Sequence, residues 1–537
     1  MSVGPLIYIA YHVPGMERRR QVIVAGDGNC AGGNDARELG VVVRGNTEVR
    51  CVEVRPVVPV IIDKVQATMR LSIRDADAIY LNGYNSWTDS VEHAVTDRMW
   101  GLSRAPRQSV ENSVLDASGD YRFCEEDTRC GHMHGYGYGY LRQGEEVLLF
   151  GSLCEDTGMT VIYEDLDEGT LTFEKEPPLG IIGRGEHVEV LSLGLLGGRL
   201  EDCVERYLEL CGITCREATP IVGYTSWYRH YQDIDAETLM SDLAGEAKVI
   251  DTCETSGVDV LFQIDDGYAK VGDWLEYDES RFPEGLVPLA EAAHEHGMLA
   301  GLWLAPFMCE RKSRLFAERP EWLLRDERGR LVEAGSNWSG AYALDLRMPE
   351  VRDHIAKVLA TVTDDWGFDL LKLDFLYAAC LEAHDNMNRG QLMADALDFL
   401  RECVGEDVRL LLCGVPLTSA FGRCEYCRIG PDVGRDWDDL PFARLLARER
   451  VSTKRSLANA RGRAHLNGRA FLCDPDVLYL REEGVSLTAS QRVEMFVADT
   501  TFGGVLLTSD DMGKWDEAQL MRYREALARF RRSCGVA

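Results

Sequence analysis

The sequence predicts an α/β protein in which a (β/α)8 TIM barrel is preceded by an antiparallel β-sandwich domain. Up to about residue 205, short runs rich in β-branched residues alternate with turns, and helical periodicity is nearly absent. After about residue 220, strand-like and helical runs alternate, and eight strand-like runs can be counted. Many short strands separated by turns favour a sandwich, whereas eight βα repeats close naturally into a parallel barrel.

Each strand of this fold has its own signal in the sequence. In the N-terminal part, strands are predicted over residues 6–13, 21–25, 39–43, 49–62, 146–153, 159–163 and 187–195. The eight barrel strands are predicted over residues 222–228, 259–265, 298–305, 369–375, 408–413, 425–429, 470–473 and 504–507. Residues 201–210 are amphipathic, which predicts a helix. We therefore expect a β-sandwich over 1–205, a linker helix and connection over 206–220, and the barrel over 221–537.

The composition excludes some partners. Lys and Arg total 58 against 89 Asp and Glu, so the formal net charge is −31. Such a charge opposes binding to nucleic acid or to an anionic membrane surface, and we expect neither partner. No apolar run reaches the roughly 18 residues that a membrane span requires. The order of basic and apolar residues at the N-terminus is wrong for a secretory signal, and 17 scattered cysteines favour a reducing compartment. These features predict a cytoplasmic protein.

Polar residues gather where the predicted barrel strands end. In chain order they are Trp227, Asp265 and Asp266, Trp303, Lys372 and Asp374, Cys413 and Gly414, Arg428 and Asp432, and Asp476. The carboxyl ends of barrel strands form one face of the molecule, where barrel active sites are built. Any single residue of this set can be a satisfied buried group, but so many at equivalent positions indicate a common pocket.

Lys372 and Asp374 form the most informative pair in this set. They are two residues apart in a run of otherwise apolar residues, so both side chains point to the same side of a strand. Burying an unpaired charge costs several kcal/mol or more, so the pair needs partners or a wet cavity. On these residues alone, an ion pair that caps a core strand and a functional pair in a pocket are equally good interpretations.

The N-terminal part contains one loop of a different kind, residues 82–87, in which Tyr84 and Trp87 lie among turn-forming residues. The two aromatic side chains can pack on the sheet or at the domain interface. Alternatively, the loop can reach the pocket of the other domain. On the residues alone, packing is the preferred interpretation.

Several carboxylates together with Lys, Arg and Trp suit two kinds of ligand. Asp265, Asp266, Asp374 and Asp432 offer hard oxygen ligands for a metal ion, but no His accompanies them. Lys372 and Arg428 would in addition repel a cation. Sugar hydroxyls fit better, because charged groups bind them through strong hydrogen bonds and two carboxylates are the minimal equipment for glycoside hydrolysis. We therefore expect no metal and no cofactor.

These residues carry a resemblance to the family 36 glycoside hydrolases, which are α-galactosidases of clan D, related to family 27. The matching segments are residues 82–87, 223–228, 262–268, 301–307, 371–375, 428–432 and 471–476. The Asp-Asp-Gly-aromatic motif after the second barrel strand and the Lys-x-Asp motif at the fourth are the most specific. The resemblance implies that the C-terminal β-domain of larger relatives is reduced or missing.

The resemblance also implies a role for each residue. Asp374 corresponds to the nucleophile and Asp432 to the acid/base, while Asp265 and Asp266 correspond to the pair that holds O4 and O6 of galactose. The remaining substrate-binding positions are Trp303, Lys372 and Arg428 beside the two carboxylates, Cys413 and Gly414 near O2, Trp87 from the N-terminal domain, and Trp227 and Asp476. Lys372 is further expected to favour the ionised form of Asp374.

The activity implied is that of a retaining exo-α-galactosidase, which removes terminal α-linked galactose from oligosaccharides or glycoconjugates by double displacement. An α-N-acetylgalactosaminidase, a raffinose-type galactosyl-transferring enzyme and a non-catalytic sugar-binding protein are the alternatives. The chain departs from the commoner pattern at Gly414-Val415-Pro416-Leu417 and at residues 428–432, and both changes concern the leaving group. Relatives are often oligomeric, so we allow for a homo-oligomer.

Overall fold

The structure, a computed structural model, describes residues 4–16, 18–25, 37–99, 117–124, 127–384, 386–438 and 448–536. The strands of this part are β1 Leu6–His12, β2 Arg20–Ala25, β3 Leu39–Gly45, β4 Val49–Pro56, β5 Ile61–Arg70, β6 Ala78–Leu81, β7 Glu92–His93, β8 His134–Tyr136, β9 Tyr138–Gln143, β10 Glu146–Ser152, β11 Thr160–Asp165, β12 Thr170–Lys175, β13 Val188–Arg199, β14 Ile221–Thr225, β15 Asp259–Ile264, β16 Leu299–Leu304, β17 Met308–Glu310, β18 Glu333–Gly335, β19 Ala341–Ala343, β20 Leu370–Leu373, β21 Arg409–Leu412, β22 Tyr426–Arg428, β23 Leu472–Asp474 and β24 Val505–Thr508. Its α-helices are Leu200–Leu210, Trp227–His230, Ala236–Ile250, Val287–Glu295, Arg314–Glu318, Pro349–Ala360, Arg389–Val404, Thr453–Gly462, Ala489–Asp499 and Glu517–Ser533.

The N-terminal part is a sandwich of two antiparallel sheets. One sheet has the strand order β2-β1-β5-β12-β11-β8, and the other has the order β3-β4-β13-β10-β9-β6-β7. Buried and less buried residues alternate along β1 and β5, because successive side chains of a strand point to opposite faces. The buried rows of both sheets meet in one core, which contains Ile9, Val54, Phe150 and Phe173.

The second part is the parallel barrel, so the predicted fold class is confirmed. Its strand order is β23-β22-β21-β20-β16-β15-β14-β24. The backbone N–H of Gly504 donates to the carbonyl of Cys473 over 2.9 Å, which brings the first and last strands of this order together. All four residues of β20 are buried, as expected for a strand with side chains inside the barrel and under the helices.

The helix Leu200–Leu210 packs on the sandwich. Its buried side chains include Cys203, Val204 and Leu208, and the hydroxyl of Tyr207 donates to the carbonyl of Ser152 over 2.5 Å. The barrel begins at Ile221, where β14 starts. Among the described residues, no helix is long and apolar enough to cross a membrane.

Some elements differ from the sequence-based expectation. The first barrel strand ends at Thr225 and not at residue 228, because Trp227–His230 turns into a short helix. The run 49–62 divides into β4 and β5. The helix expected over 440–460 is observed as Thr453–Gly462, and residues 439–447 lie outside the described residues. The three-stranded sheet β17-β19-β18, inserted between β16 and β20, was not predicted at all.

Candidate active site

A cavity of about 540 Å³ lies at the carboxyl ends of the barrel strands. Both domains contribute to its wall. The lining residues are Trp87, Ser118, Trp227, Gln232, Asp265, Asp266, Trp303, Gly335, Ser336, Asn337, Trp338, Lys372, Asp374, Phe375, Tyr377, Asp432, Glu449, Arg450 and Val451. Eight of the predicted site residues are therefore brought to one cavity, although up to 345 residues separate them along the chain, from Trp87 to Asp432.

Asp374 lies on the cavity wall directly after β20. The indole N–H of Trp303 donates to its Oδ2 over 3.1 Å, and the backbone N–H of Phe375 donates to its Oδ1 over 2.8 Å. Phe375 has a left-handed backbone with φ of 54°, which ends the strand and turns the chain past the carboxylate. Two donors on two oxygens hold the carboxylate in one orientation.

Burial raises the pKa of Asp374, and the nearby ammonium of Lys372 opposes this effect. The charge of Lys372 thus acts in the expected sense, but desolvation outweighs it. The reason is that the direct partner of Lys372 is another carboxylate: Nζ donates to Oδ2 of Asp265 over 2.8 Å. Burial by itself would lower the pKa of Lys372, and the charge of Asp265 raises it overall. Lys372 is therefore a firmly charged group shared between two acids.

Asp265 and Asp266 follow β15 and also line the cavity. Oδ2 of Asp265 also accepts a hydrogen bond from the side-chain amide of Gln263 over 2.8 Å. Oδ2 of Asp266 accepts from Nε2 of Gln232 and from Nε1 of Trp338, each over 2.7 Å. Burial raises the pKa of Asp266 to about 6, against the effect of these two donors. Asp266 is consequently a carboxylate that titrates close to neutrality.

Asp432 shares one guanidinium with two buried acids. Arg428 donates from Nη1 to Oδ1 of Asp432 over 2.9 Å, from Nε to Oδ2 of Asp474 over 3.0 Å, and from Nη2 to Oδ1 of Asp476 over 2.8 Å. The Asp432 side chain is 36% exposed and faces the cavity, whereas Asp476 is fully buried behind Arg428. Asp476 also accepts hydrogen bonds from the hydroxyl of Tyr228 and the backbone N–H of Val433. Arg428 and Asp476 thus form the support of the wall and do not line it.

Cys413 and Gly414, at the end of β21, lie behind Trp87. The indole N–H of Trp87 approaches Sγ of Cys413 at 3.2 Å. A Cβ atom on Gly414 would come within 2.9 Å of the Trp87 ring, and the φ of this residue is +55°. Only glycine fits a position with both restrictions. The ring of Trp87 is thereby pressed against the strand end, with its edge toward Phe375 at a centroid distance of 5.2 Å.

The loop that carries Trp87, residues 82–90, is held by a buried arginine of the barrel. Arg463 is 0% exposed. Its guanidinium donates to Oδ1 of Asn82 over 3.2 Å and to the carbonyls of Asn85 and Ser86 over 3.0 and 2.6 Å. It also donates to the carbonyl of Ile429 over 3.0 Å, three residues before Asp432. One side chain therefore joins the N-terminal loop to the strand end that carries the second carboxylate.

Several cavity residues were missed by the sequence analysis, and Trp338 is the most notable of them. It lies in the unpredicted insertion after β16, has a φ of +56°, and donates to Asp266. A usable signal existed, because Asn337-Trp338 lies in a turn-rich segment between Gly335 and Gly340, and the segment around Trp87 is likewise rich in turn-forming residues. Gln232, Tyr377 and Glu449 carried no comparable signal.

Two groups of possible metal ligands lie in the described part of the N-terminal domain. The buried group is Asp120, Cys124 and His134. Arg448 donates to Asp120, and its guanidinium lies 3.3 Å from Nε2 of His134. A guanidinium thus already supplies the positive charge that a metal ion would bring, so this cluster does not fit a cation.

Known proteins resemble this chain in both sequence and fold. The family described as Melibiase matches residues 213–389. An α-galactosidase of Lactobacillus acidophilus is 30% identical over 157 residues, which are 28% of this chain and 20% of that protein. A type A blood α-D-galactosamine galactosaminidase of Flavonifractor plautii is 34% identical over 140 residues, 24% of this chain and 13% of that protein. The matched segment thus spans only about a fifth or less of these curated relatives.

Solved structures cover much more of the chain. An α-galactosidase of Thermus thermophilus, solved with p-nitrophenyl α-D-galactopyranoside, superposes with a TM-score of 0.71 at 28% identity, covering 91% of this chain and 95% of that one. The family 36 α-galactosidase AgaA of Geobacillus stearothermophilus superposes with a TM-score of 0.62 at 15% identity, covering 99% of this chain and 73% of that one, which shows the fold alone.

Residues 213–389 thus match the Melibiase family, and the barrel with the sandwich before it has the fold of the T. thermophilus α-galactosidase. These comparisons support the resemblance to the family 36 glycoside hydrolases that the sequence carries.

Proposed function

We propose that the protein is a retaining exo-α-galactosidase that hydrolyses terminal α-linked galactose from oligosaccharides or glycoconjugates. The observation that carries this proposal is the arrangement of four acids in one cavity. Asp374 and Asp432 line the same cavity as Asp265 and Asp266, and Lys372 lies between the two pairs of acids. Sequence relatives and solved structures named α-galactosidases support the same activity.

In the first step, Asp374 attacks the anomeric carbon while the bond from that carbon to the leaving oxygen breaks. Asp432, protonated at the start, transfers its proton to that oxygen. In the second step, Asp432 accepts a proton from water, whose oxygen displaces Asp374 and restores the original configuration. We expect the two carboxyl groups to lie about 5–6 Å apart, as retention requires. The two donors to Asp374 orient the attacking oxygen, and Arg428 positions Asp432.

Galactose is favoured over glucose because of the acid pair Asp265 and Asp266. An axial O4 and the O6 hydroxyl can both donate to Asp265 and Asp266, which lie side by side and are already oriented by Lys372, Gln232 and Trp338. An equatorial O4 would leave one of these buried carboxylates without its donor. That loss costs roughly 1–3 kcal/mol or more.

We therefore expect an aryl α-galactoside to be hydrolysed about 10- to 100-fold faster, in kcat/KM, than the matching aryl α-glucoside. Measuring both rates on the same preparation checks this. The variant Asp266→Asn provides the comparison, since it should narrow the ratio by lowering the galactoside rate. Equal rates on the two glycosides in the unmodified protein would contradict the role of the acid pair.

The side of the cavity near Cys413 favours galactose over N-acetylgalactosamine. The Trp87 ring is packed against Cys413 and Gly414, and a single added carbon at Gly414 would already collide with it. The resemblance places O2 of the sugar near Cys413 and Gly414, and because the Trp87 ring covers both residues, an acetamido group on C2 would have to displace that ring. The similarity to the galactosaminidase of F. plautii makes α-N-acetylgalactosaminidase activity the alternative. Hydrolysis of an aryl α-N-acetylgalactosaminide as fast as the aryl α-galactoside would establish that alternative.

The elevated pKa of Asp266 predicts an acid limb in sugar binding. The ionised carboxylate accepts on both oxygens, whereas protonation turns one oxygen into a donor, and burial places the pKa of Asp266 at about 6. Galactose affinity should therefore be full above that pH and fall by up to about tenfold per pH unit below it. Titration calorimetry with galactose between pH 5 and about 8 measures this. Affinity that is constant down to pH 5, or an unchanged limb in Asp266→Asn, would show that another group is responsible.

We also propose a reducing, cytoplasmic location. The sixteen cysteines of the described residues are free thiols, and several lie close to one another in the barrel without pairing. Free thiols in such number are typical of a reducing compartment. Recovery of the native protein outside the cell would argue against this location.

A further inference from the structure

Glu449 is an acid on the cavity wall to which the proposed mechanism gives no role. Glu449 comes after β22 in the chain and lines the cavity together with its neighbours Arg450 and Val451. Oε1 accepts a hydrogen bond from the hydroxyl of Thr88 over 2.8 Å, and Oε2 accepts from the hydroxyl of Tyr121 over 2.7 Å. Both donors belong to the N-terminal domain, so the carboxyl group stands where the two domains meet at the cavity.

These contacts leave Glu449 with unused capacity. A carboxylate has about four acceptor sites, and the two hydroxyls occupy one on each oxygen. Burial raises the pKa of Glu449, and the charge of Arg448 only partly opposes this effect. Arg448 is itself engaged by Asp120. A further donor from the cavity would therefore stabilise the charged form of this partly buried carboxylate.

The position of Glu449 relative to Asp432 identifies that donor. The backbone N–H of Ser452 donates to the carbonyl of Asp432 over 3.0 Å, so residues 449–451 lie beside the proposed acid/base. Asp265 and Asp266 are hydrogen-bonded to other residues, namely Lys372, Gln232 and Trp338. The group that receives the proton of Asp432 is therefore expected on the side of residues 449–451. There the side chain of Val451 is 53% exposed at the mouth of the cavity, and Ser118 lies on the lining.

We propose that Glu449 is a specificity-determining residue that accepts a hydrogen bond from a hydroxyl of the leaving group, which makes neutral sugars the preferred leaving groups. This inference rests on the proposed α-galactosidase activity and extends it to the other side of the scissile bond. A leaving sugar has hydroxyls to donate and an apolar C–H face for Val451, whereas an aryl group offers no donor and an anionic group would be repelled by Glu449.

The test compares two substrates that share galactose and differ in the leaving group: raffinose, which releases a sugar, and p-nitrophenyl α-galactoside, which does not. In Glu449→Gln, kcat/KM for raffinose should fall about 10- to 100-fold, while the value for the aryl galactoside should stay within about threefold. The inhibition constant of free galactose should not change, because galactose carries no leaving group that could contact Glu449.

Two matched variants separate this role from a structural one. Glu425→Gln alters another buried glutamate, which is paired with Arg216 and Arg401 at the start of β22, and should leave the ratio of the two substrates unchanged. Tyr121→Phe removes one anchor of Glu449 but keeps its carboxylate, and should change the ratio much less than Glu449→Gln does.

Equal losses on both substrates in Glu449→Gln would overturn the inference and assign Glu449 to holding the domains together. A ratio changed as strongly by Tyr121→Phe would do the same. If the unmodified protein hydrolyses neither substrate, the proposed function itself fails. If the unmodified protein is active but Glu449→Gln has the same ratio of raffinose to aryl-galactoside hydrolysis, only the inference about Glu449 fails.

Discussion

Replacing Asp374 by Asn is expected to remove nearly all turnover of an aryl α-galactoside, with a fall in kcat on the order of 10⁴-fold or more. The amide is close in size to the carboxylate and keeps one oxygen, which can accept from one of the two donors, Trp303 or the backbone of Phe375. It cannot form the covalent bond to the anomeric carbon. Steady-state kinetics, with the thermal midpoint as a check of folding, give the result.

The matched control for this prediction is Asp369→Asn, because Asp369 lies directly before β20 and Asp374 directly after it. Asp369 accepts hydrogen bonds from His294 and from the backbone of Ala300, and it lies far from the cavity lining. We expect it to affect stability and not kcat. A stronger test replaces Asp374 by Ala and adds azide, which should yield β-galactosyl azide by direct displacement. Substantial activity in folded Asp374→Asn would show that the nucleophile is another residue.

Replacing Asp432 by Ala is expected to affect substrates according to their leaving groups. A sugar leaving group needs a proton, so kcat/KM for raffinose should fall by about 10²–10⁴-fold. A p-nitrophenolate leaves without one, so formation of the galactosyl-enzyme from the aryl galactoside should be slowed far less. Its hydrolysis still lacks the base, and azide should therefore accelerate the overall reaction by attacking the intermediate without base assistance.

Asp436→Asn is the control for Asp432, because it alters an exposed acid of the same loop. It should leave the two substrates unaffected. Asp432→Asn adds a second comparison, since its amide retains an oxygen that can accept from Arg428 and thereby preserves the local packing. If Asp432→Ala slowed both substrates equally and azide had no effect, the acid/base role would have to pass to a different residue.

Much of the fold and of the cavity could be predicted from the sequence. Lys372 and Asp374 are two residues apart on a strand whose other side chains are apolar, and only a pocket or an ion pair accommodates them there. The structure combines the two interpretations, since Lys372 is ion-paired with Asp265 and both groups line the cavity. The parallel arrangement of the strands explains why residues this distant in sequence could be assigned to one place.

The depth of each residue in the wall could not be predicted. Arg428 and Asp476 were expected in the sugar pocket. In the structure, the guanidinium of Arg428 donates to three acids, and Asp476 lies buried behind that guanidinium. The sequence shows charges but not how they pair. Trp87 is the opposite case, because the residues alone favoured packing on the sheet or at the domain interface, and the structure places Trp87 on the cavity lining.

The sequence by itself determined the architecture and the chemical character of the site, because strand periodicity and the clustering of polar residues at strand ends are local properties. Only the tertiary structure decided which groups face the cavity, as with Trp338 on an inserted sheet and Glu449 between the two domains. These positions depend on how separate segments pack on one another. Pairing and desolvation, which raise the pKa of Asp266 and Glu449, exist only after that packing has occurred.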